Sequence, residues 1–236
     1  MNSIGIYHHL GLGDTIECSA IVRKLSEQYD KVYLFAKSKY KEMISTLYKD
    51  LNNLEIICVS DDPSKERQDV NKFFSDNSQV ERFILGHENY FTNTALFNHL
   101  GITCAEAFYY LARIPYSYKY NGFYLERNLL EEERIYNKLN PNNEKYIFIH
   151  DDEKLGFKIS ADTKLKIIKN DTTENLFHMI KVLENAEEIH CMSSSILCLI
   201  DSMIEKANFK NLFLHYNVRK FPLTPNYLNK KWTILK

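Results

Sequence analysis

Apolar residues along this chain follow two alternating rhythms. Ile4-Gly5-Ile6-Tyr7-His8 is a short run of strand type. After it, Cys18, Ile21, Val22, Leu25 and Tyr29 recur at three- and four-residue spacing, which places them on one face of a helix predicted over 15–29. Residues 31–36 read as a second strand, 39–50 as a second helix and 54–59 as a third strand. Such a βαβαβ succession predicts a parallel sheet with helices on its faces. A helix over 64–75, a strand over 82–85 and two short helices within 94–112, broken near Gly101, follow. Then come an aromatic-rich segment over 116–124 and a charged helix over 129–139.

The rhythm then restarts. Pro141-Asn142-Asn143-Glu144 has the composition of a linker. Beyond it, strands are predicted over 145–150, 165–168, 188–192 and 212–215, with a last one at 232–235. Helices are predicted over 173–184 and from Ser193 to about residue 206. The expected architecture is α/β, with two Rossmann-like domains, 1–140 and 141–236, facing a cleft.

Composition narrows the function. The 236 residues carry 30 basic and 31 acidic side chains, a net charge of −1, which lacks the basic excess of a general nucleic-acid binder. A hydrophobic fraction of 44% supports a packed core. No apolar run approaches the ~20 residues of a transmembrane segment. The first residues lack the basic start and long apolar stretch of a secretory leader, so a cytoplasmic protein is expected. Cys18, Cys58, Cys104, Cys191 and Cys198 are odd in number and match no zinc or redox spacing, and the eight histidines show no metal-binding motif. Free buried thiols and no metal are therefore expected. Glycines number only 7, so two in one turn are informative.

That turn is His8-His9-Leu10-Gly11-Leu12-Gly13-Asp14, directly after the first strand. It is neither a dinucleotide fingerprint, because Ile16 stands where the third glycine would be, nor a P-loop. A carboxylate at a helix mouth repels phosphate. Asp14 therefore fits a helix cap, or a general base or hydroxyl acceptor. Ser193-Ser194-Ser195 also follows a strand and opens a helix, where hydroxyls and free N–H groups can cradle a pyrophosphate or simply cap the helix. After the strand ending at His150 come Asp151-Asp152-Glu153 and Lys158. The lysine is a candidate phosphate contact. The acidic run is a candidate divalent-cation ligand set or a solvated loop, and the loop is favoured.

The opening strand, the Leu10-Gly11-Leu12-Gly13-Asp14-Thr15-Ile16 turn and the helix carrying Arg23-Lys24-Leu25 resemble the N-terminus of heptosyltransferase-like glycosyltransferases. The serine triplet after Cys191-Met192 is similar to that family's diphosphate-wrapping segment, and the strand ending at His150 with Lys158 to its donor-domain opening. The likeness departs at Met192, where the family has Asp. The resemblance implies a compact GT-B-like fold. It implies an acceptor side at His9, Gly11 and Gly13, with Asp14 as catalytic base. It implies a donor side at His150, Lys158, Ser193, Ser194 and Ser195. The implied partners are a nucleotide-sugar, which is a substrate rather than a cofactor, and a glycan, glycolipid or glycoprotein acceptor. The implied reaction is inverting and metal-independent. Competing readings are a metal-dependent transferase using Asp151, Asp152 and Glu153, a non-catalytic nucleotide- or sugar-binding module, and a nucleotide-sugar epimerase.

Overall fold

Five buried residues, Ser3–Tyr7, form the first strand, β1, at the centre of the first sheet. The computed structural model describes residues 2–219 and 228–235, and of residue 88 the backbone alone. The chain divides into two units, 1–126 and 127–236.

In the first unit β1 leads into helices α1 (Leu12–Glu17) and α2 (Ser19–Ser26). The single helix expected over 15–29 is thus two, joined at Cys18. β2 (Lys31–Lys37), α3 (Lys41–Leu47), β3 (Leu54–Val59), α4 (Pro63–Asp76) and β4 (Glu81–Ile84) come next. The helical remainder is α5 (His87–Thr92), α6 (Thr94–Leu100), α7 (Cys104–Leu111) and α8 (Tyr118–Gly122). The break near Gly101 is as expected: its φ of 66° ends α6 in the left-handed conformation that glycine adopts without a Cβ penalty. The short helices α5 and α8 carry too few turns to leave a readable period. The four strands are parallel in the order β3-β2-β1-β4. Tyr7, Leu10, Phe35, Val59, Val70, Phe74 and Val80 form a core cluster between this sheet and α4.

The second unit opens with α9 (Leu129–Leu139), ahead of the linker expected at 141–144. The dividing point falls at 126/127 because α9 is bonded to residues later in the chain. Arg127 pairs with Glu132 and, at 2.8 Å, with Glu184, and the Lys181 backbone N–H donates to Glu132 at 3.1 Å. The remaining elements are β5 (Tyr146–His150), β6 (Lys166–Lys169), α10 (Ile180–Asn185), β7 (Glu188–Cys191), α11 (Ser195–Met203), β8 (Asn211–His215) and β9 (Trp232–Leu235). All five strands are parallel, in the order β6-β5-β7-β8-β9. Buried Asp201 on α11 accepts the Trp232 indole N–H at 3.0 Å and so fastens the edge strand. The chain is therefore two α/β units with parallel sheets, as its alternating rhythms predict.

Candidate active site

In each sheet the first strand of the unit lies beside a strand reached from the other direction. The chain moves one way from β1 to β2 and β3, then returns on the opposite side of β1 as β4. Ligands of open parallel sheets bind outside the carboxyl ends of the strands at such a reversal. Here those ends carry His8-His9-Leu10-Gly11 and Leu85-Gly86-His87. They are laced together: the Leu85 N–H donates to the Tyr7 carbonyl at 2.9 Å, and His87 Nε2 lies 3.1 Å from the His8 carbonyl oxygen. Gly86 is required there, because a Cβ on it would stand 2.7 Å from the His9 backbone nitrogen. His87 itself has φ 50°, a left-handed backbone that is costly for a non-glycine residue and frequent at functional sites. Its ring stacks on Tyr7 at 4.2 Å, and its Nε2 lies 3.3 Å from Oε1 of buried Glu66.

The turn places Asp14 inside α1 rather than at its mouth. Gly11 is the N-cap, and Asp14 occupies the first turn. Its carboxylate folds back over Gly11, facing the backbone N–H groups of Gly11 and of Asp14 itself. These N–H groups favour the anion. Burial opposes it more strongly, and the charge of Glu17 adds to the opposition, so the Asp14 carboxyl is raised to about 7. Gly13 lies beside it within α1, and Thr15 Oγ1 donates to the Gly11 carbonyl at 3.0 Å.

His9 sits in an aromatic box. The rings of His87, Tyr90 and Phe108 meet it edge-on with centroids 5.0, 5.5 and 5.4 Å away. Burial, and then the neighbouring His87, hold its imidazole at about 4, so it is neutral near pH 7. Its Nδ1 lies 3.8 Å from Sγ of Cys104, the first residue of α7. Ligand atoms of His9, Asp14 and Cys104 all fall within 4.8 Å of one another. Spacing along the chain gives no sign of this group, because Cys104 lies 90 residues beyond the turn that holds His9 and Asp14.

The second unit repeats the arrangement. β5 neighbours β6 on one side and β7 on the other, so the reversal lies between the ends of β5 and β7. His150 ends β5, and its carbonyl accepts the Met192 N–H at 3.2 Å. Burial lowers the His150 imidazole to about 4. Ser193, Ser194 and Ser195 come directly after β7. Ser194 caps α11, its hydroxyl accepting the Leu197 N–H at 3.4 Å, and Ser195 is the first helical residue. His150 and the three serines, all singled out from the sequence, thus meet at one sheet end.

Lys158 is 66% exposed and, among the described residues, has only Glu153, at 4.0 Å, as an ion-pair partner. The cation set against the serine segment is instead Arg219, which sequence reasoning did not single out. Its Nη1 donates to the Ser193 carbonyl at 3.0 Å, and its guanidinium lies 5.8 Å from the Phe157 ring centroid. Nothing along the chain marks it, since it reaches this place from beyond β8. The acidic run serves its own loop. Lys169 pairs with Asp151 at 3.1 Å and also with Glu153, while Asp152 accepts the Leu155 N–H.

Arg23, part of the Arg23-Lys24-Leu25 likeness, is structural. It grips Asp50 at 2.7 and 3.0 Å and donates to the carbonyls of Leu47 and Tyr124 at 2.8 and 2.9 Å. It therefore ties α2 to the end of α3 and to the segment that closes the first unit.

No protein-family model matches the chain, and no curated protein matches its sequence. Solved structures do match. The chain is similar to a glycosyl transferase family 9 protein from Veillonella parvula, with a TM-score of 0.62 and 10% identity, over 99% of this chain and 85% of that one. It is similar to the ADP-heptose LPS heptosyltransferase II of E. coli, with a TM-score of 0.60 and 10% identity, over 99% of this chain and 90% of that one. The chain shares the two-unit α/β fold of these glycosyltransferases, as its Gly-x-Gly-Asp turn and serine segment imply.

Proposed function

We propose that this protein is a glycosyltransferase that moves a sugar from a nucleotide-sugar to a glycan, glycolipid or glycoprotein acceptor. The observation that carries the reading is Asp14. It is a carboxylate at the reversal of the first sheet, held in place by its own turn and raised by burial to about 7, where a general base works best near neutral pH. The shared fold supports the reading.

The acceptor binds at the first unit, against the turn His9-Leu10-Gly11-Leu12-Gly13. Asp14 takes the proton of the acceptor hydroxyl as its oxygen bonds to the anomeric carbon. The bond from that carbon to the diphosphate oxygen breaks on the opposite face, so the configuration inverts. The nucleotide-sugar binds at the second unit. There the N–H groups that open α11, the hydroxyls of Ser193, Ser194 and Ser195, and the Arg219 guanidinium meet the charge of the departing diphosphate, with Lys158 as a second cation and His150 beside them. Protein groups supply both the base and the counter-charge, so the reaction runs without a metal. The ion pairs of Lys169 with Asp151 and Glu153 speak against the acidic loop as a cation site.

The test is release of nucleoside diphosphate from a panel of nucleotide-sugars, with and without acceptors. Transfer that is lost in Asp14→Asn, with the variant folded, supports the assignment, and full transfer in that variant overturns it. An altered nucleotide-sugar formed without acceptor would reveal an epimerase. Ligand-induced thermal stabilisation without turnover would reveal a binding module.

A further inference from the structure

The group of three at the end of β1 offers an imidazole nitrogen, a carboxylate oxygen and a thiol sulfur. Among the described residues it is the cluster whose ligand atoms stand close enough to hold one ion. We propose that His9, Asp14 and Cys104 form a zinc site, and that zinc bound there switches the transfer reaction off.

The distances are near those zinc needs. With bonds of about 2.0 Å to nitrogen and about 2.3 Å to sulfur in a tetrahedron, the two ligand atoms stand roughly 3.5 Å apart. His9 Nδ1 and Cys104 Sγ are 3.8 Å apart here. All three ligand atoms lie within 4.8 Å of one another, so the group is compact enough to share one ion.

The donor set selects the metal. Magnesium and calcium take oxygen ligands, whereas a mixed nitrogen, sulfur and oxygen set suits zinc. Three protein ligands leave the fourth position open, as in zinc sites that exchange a ligand. The supporting contacts are present too. The rings of Tyr90 and Phe108 meet the His9 ring edge-on and fix its plane. Burial, with the charges of Asp14 and Glu17, pushes the Cys104 thiol up to about 12, so zinc must displace its proton to bind. On binding, the Cys104 thiol gives its proton to solvent as the zinc–sulfur bond forms, so no oxidant or reductant is involved.

The effect on catalysis depends on which atom is taken. An Asp14 oxygen bonded to zinc no longer accepts the proton of an acceptor hydroxyl. This second half rests on the reading of Asp14 as the base. The binding half does not.

The experiment separates the two. The full chain, reduced and freed of metal, is titrated with Co2+, which reports a thiolate ligand by a charge-transfer band, and then with Zn2+ as competitor. The expected result is a band that saturates at one equivalent, is displaced by Zn2+, and is lost in Cys104→Ser, with Zn2+ affinity lowered by at least ~10–100-fold. No band, or a band that survives in Cys104→Ser, overturns the site. Should that variant fail to fold, alkylation of wild-type Cys104 decides: Zn2+ must protect it, and undiminished labelling overturns the site. Where the site binds zinc and Zn2+ leaves transfer untouched, the inhibitory role falls while the site stands. Where no transfer is found at all, the cobalt spectrum still decides the binding half.

Discussion

The carboxylate of Asp14 lies over the α-carbon of Gly11, so that a Cβ built on that carbon would stand 2.5 Å from Asp14 Oδ2. The glycine is thus a spatial requirement of the carboxylate above it. Its backbone, at φ −70° and ψ 148°, is one that any residue adopts.

This makes Gly11→Ala a clean displacement of the proposed base. The variant should fold, with stability within about 1 kcal/mol of the parent, because alanine fits the backbone angles. Its transfer rate should fall by about 100-fold, the scale on which a 1 Å misplacement acts. Thermal melting and steady-state kinetics check it. Unchanged kcat/KM would show that the position of Asp14 does not matter to the reaction.

The raised carboxyl of Asp14 sets a pH dependence. Only the ionised form accepts a proton, so kcat/KM should rise with pH through about 7 and fall close to tenfold per unit well below it. The profile should be recorded with a chelator present, so that only protons compete for the carboxylate. A flat profile between pH 5 and 8 would remove Asp14 from the role.

The same burial has a cost in stability. An ordinary Asp titrates near 3.8, and Asp14 is raised above that when folded, so the unfolded chain ionises first. The folded state is therefore penalised progressively as pH rises from about 4 to about 7, and the penalty is constant above. Asp14→Asn escapes it and should be the more stable protein at pH 8, by at most about 4 kcal/mol, the linkage of a carboxyl raised from 3.8 to about 7. Near pH 3.5 the difference should vanish. Denaturant unfolding at the two pH values measures it.

Arg219 and Lys158 give opposite expectations for two cations near the proposed donor site of the second sheet. Arg219 is anchored on Ser193, whereas Lys158 extends into solvent. Arg219→Ala should raise the donor KM by about 10–100-fold, the loss of one or two charge-assisted hydrogen bonds. Lys158→Ala should change it by less than about threefold, as exposed charges do. The reverse order would make Lys158, rather than Arg219, the main counter-charge to the diphosphate.

What the sequence reveals of this molecule is what is local. The period of Ile21, Val22 and Leu25 marks α2, and the glycine pair marks the turn holding Asp14, because each signal lies within a few residues of its cause. That His150 and Ser193–Ser195 share one sheet end was legible because each stands at the end of a strand or just past one, and both strands end at the reversal of one sheet. Cys104 could not be read in this way. It stands 95 residues from His9 in sequence, and only the packing of α7 brings the two together. Gly86 and His87 were hidden for a similar reason. Their roles depend on β4 lying beside β1, a pairing that no pattern of polar and apolar residues encodes. The break of the first helix at Cys18 was also missed. The apolar period runs through it unbroken, and the kink leaves the buried face intact.

The local support of Asp14 bears on how far such a protein can drift. Its carboxylate is positioned by Gly11, three residues away, and by the first turn of the helix it belongs to. Residues from elsewhere in the chain, among them Cys104 of α7, bury it. Substitutions elsewhere that keep this turn and its surroundings should leave the carboxylate where it is.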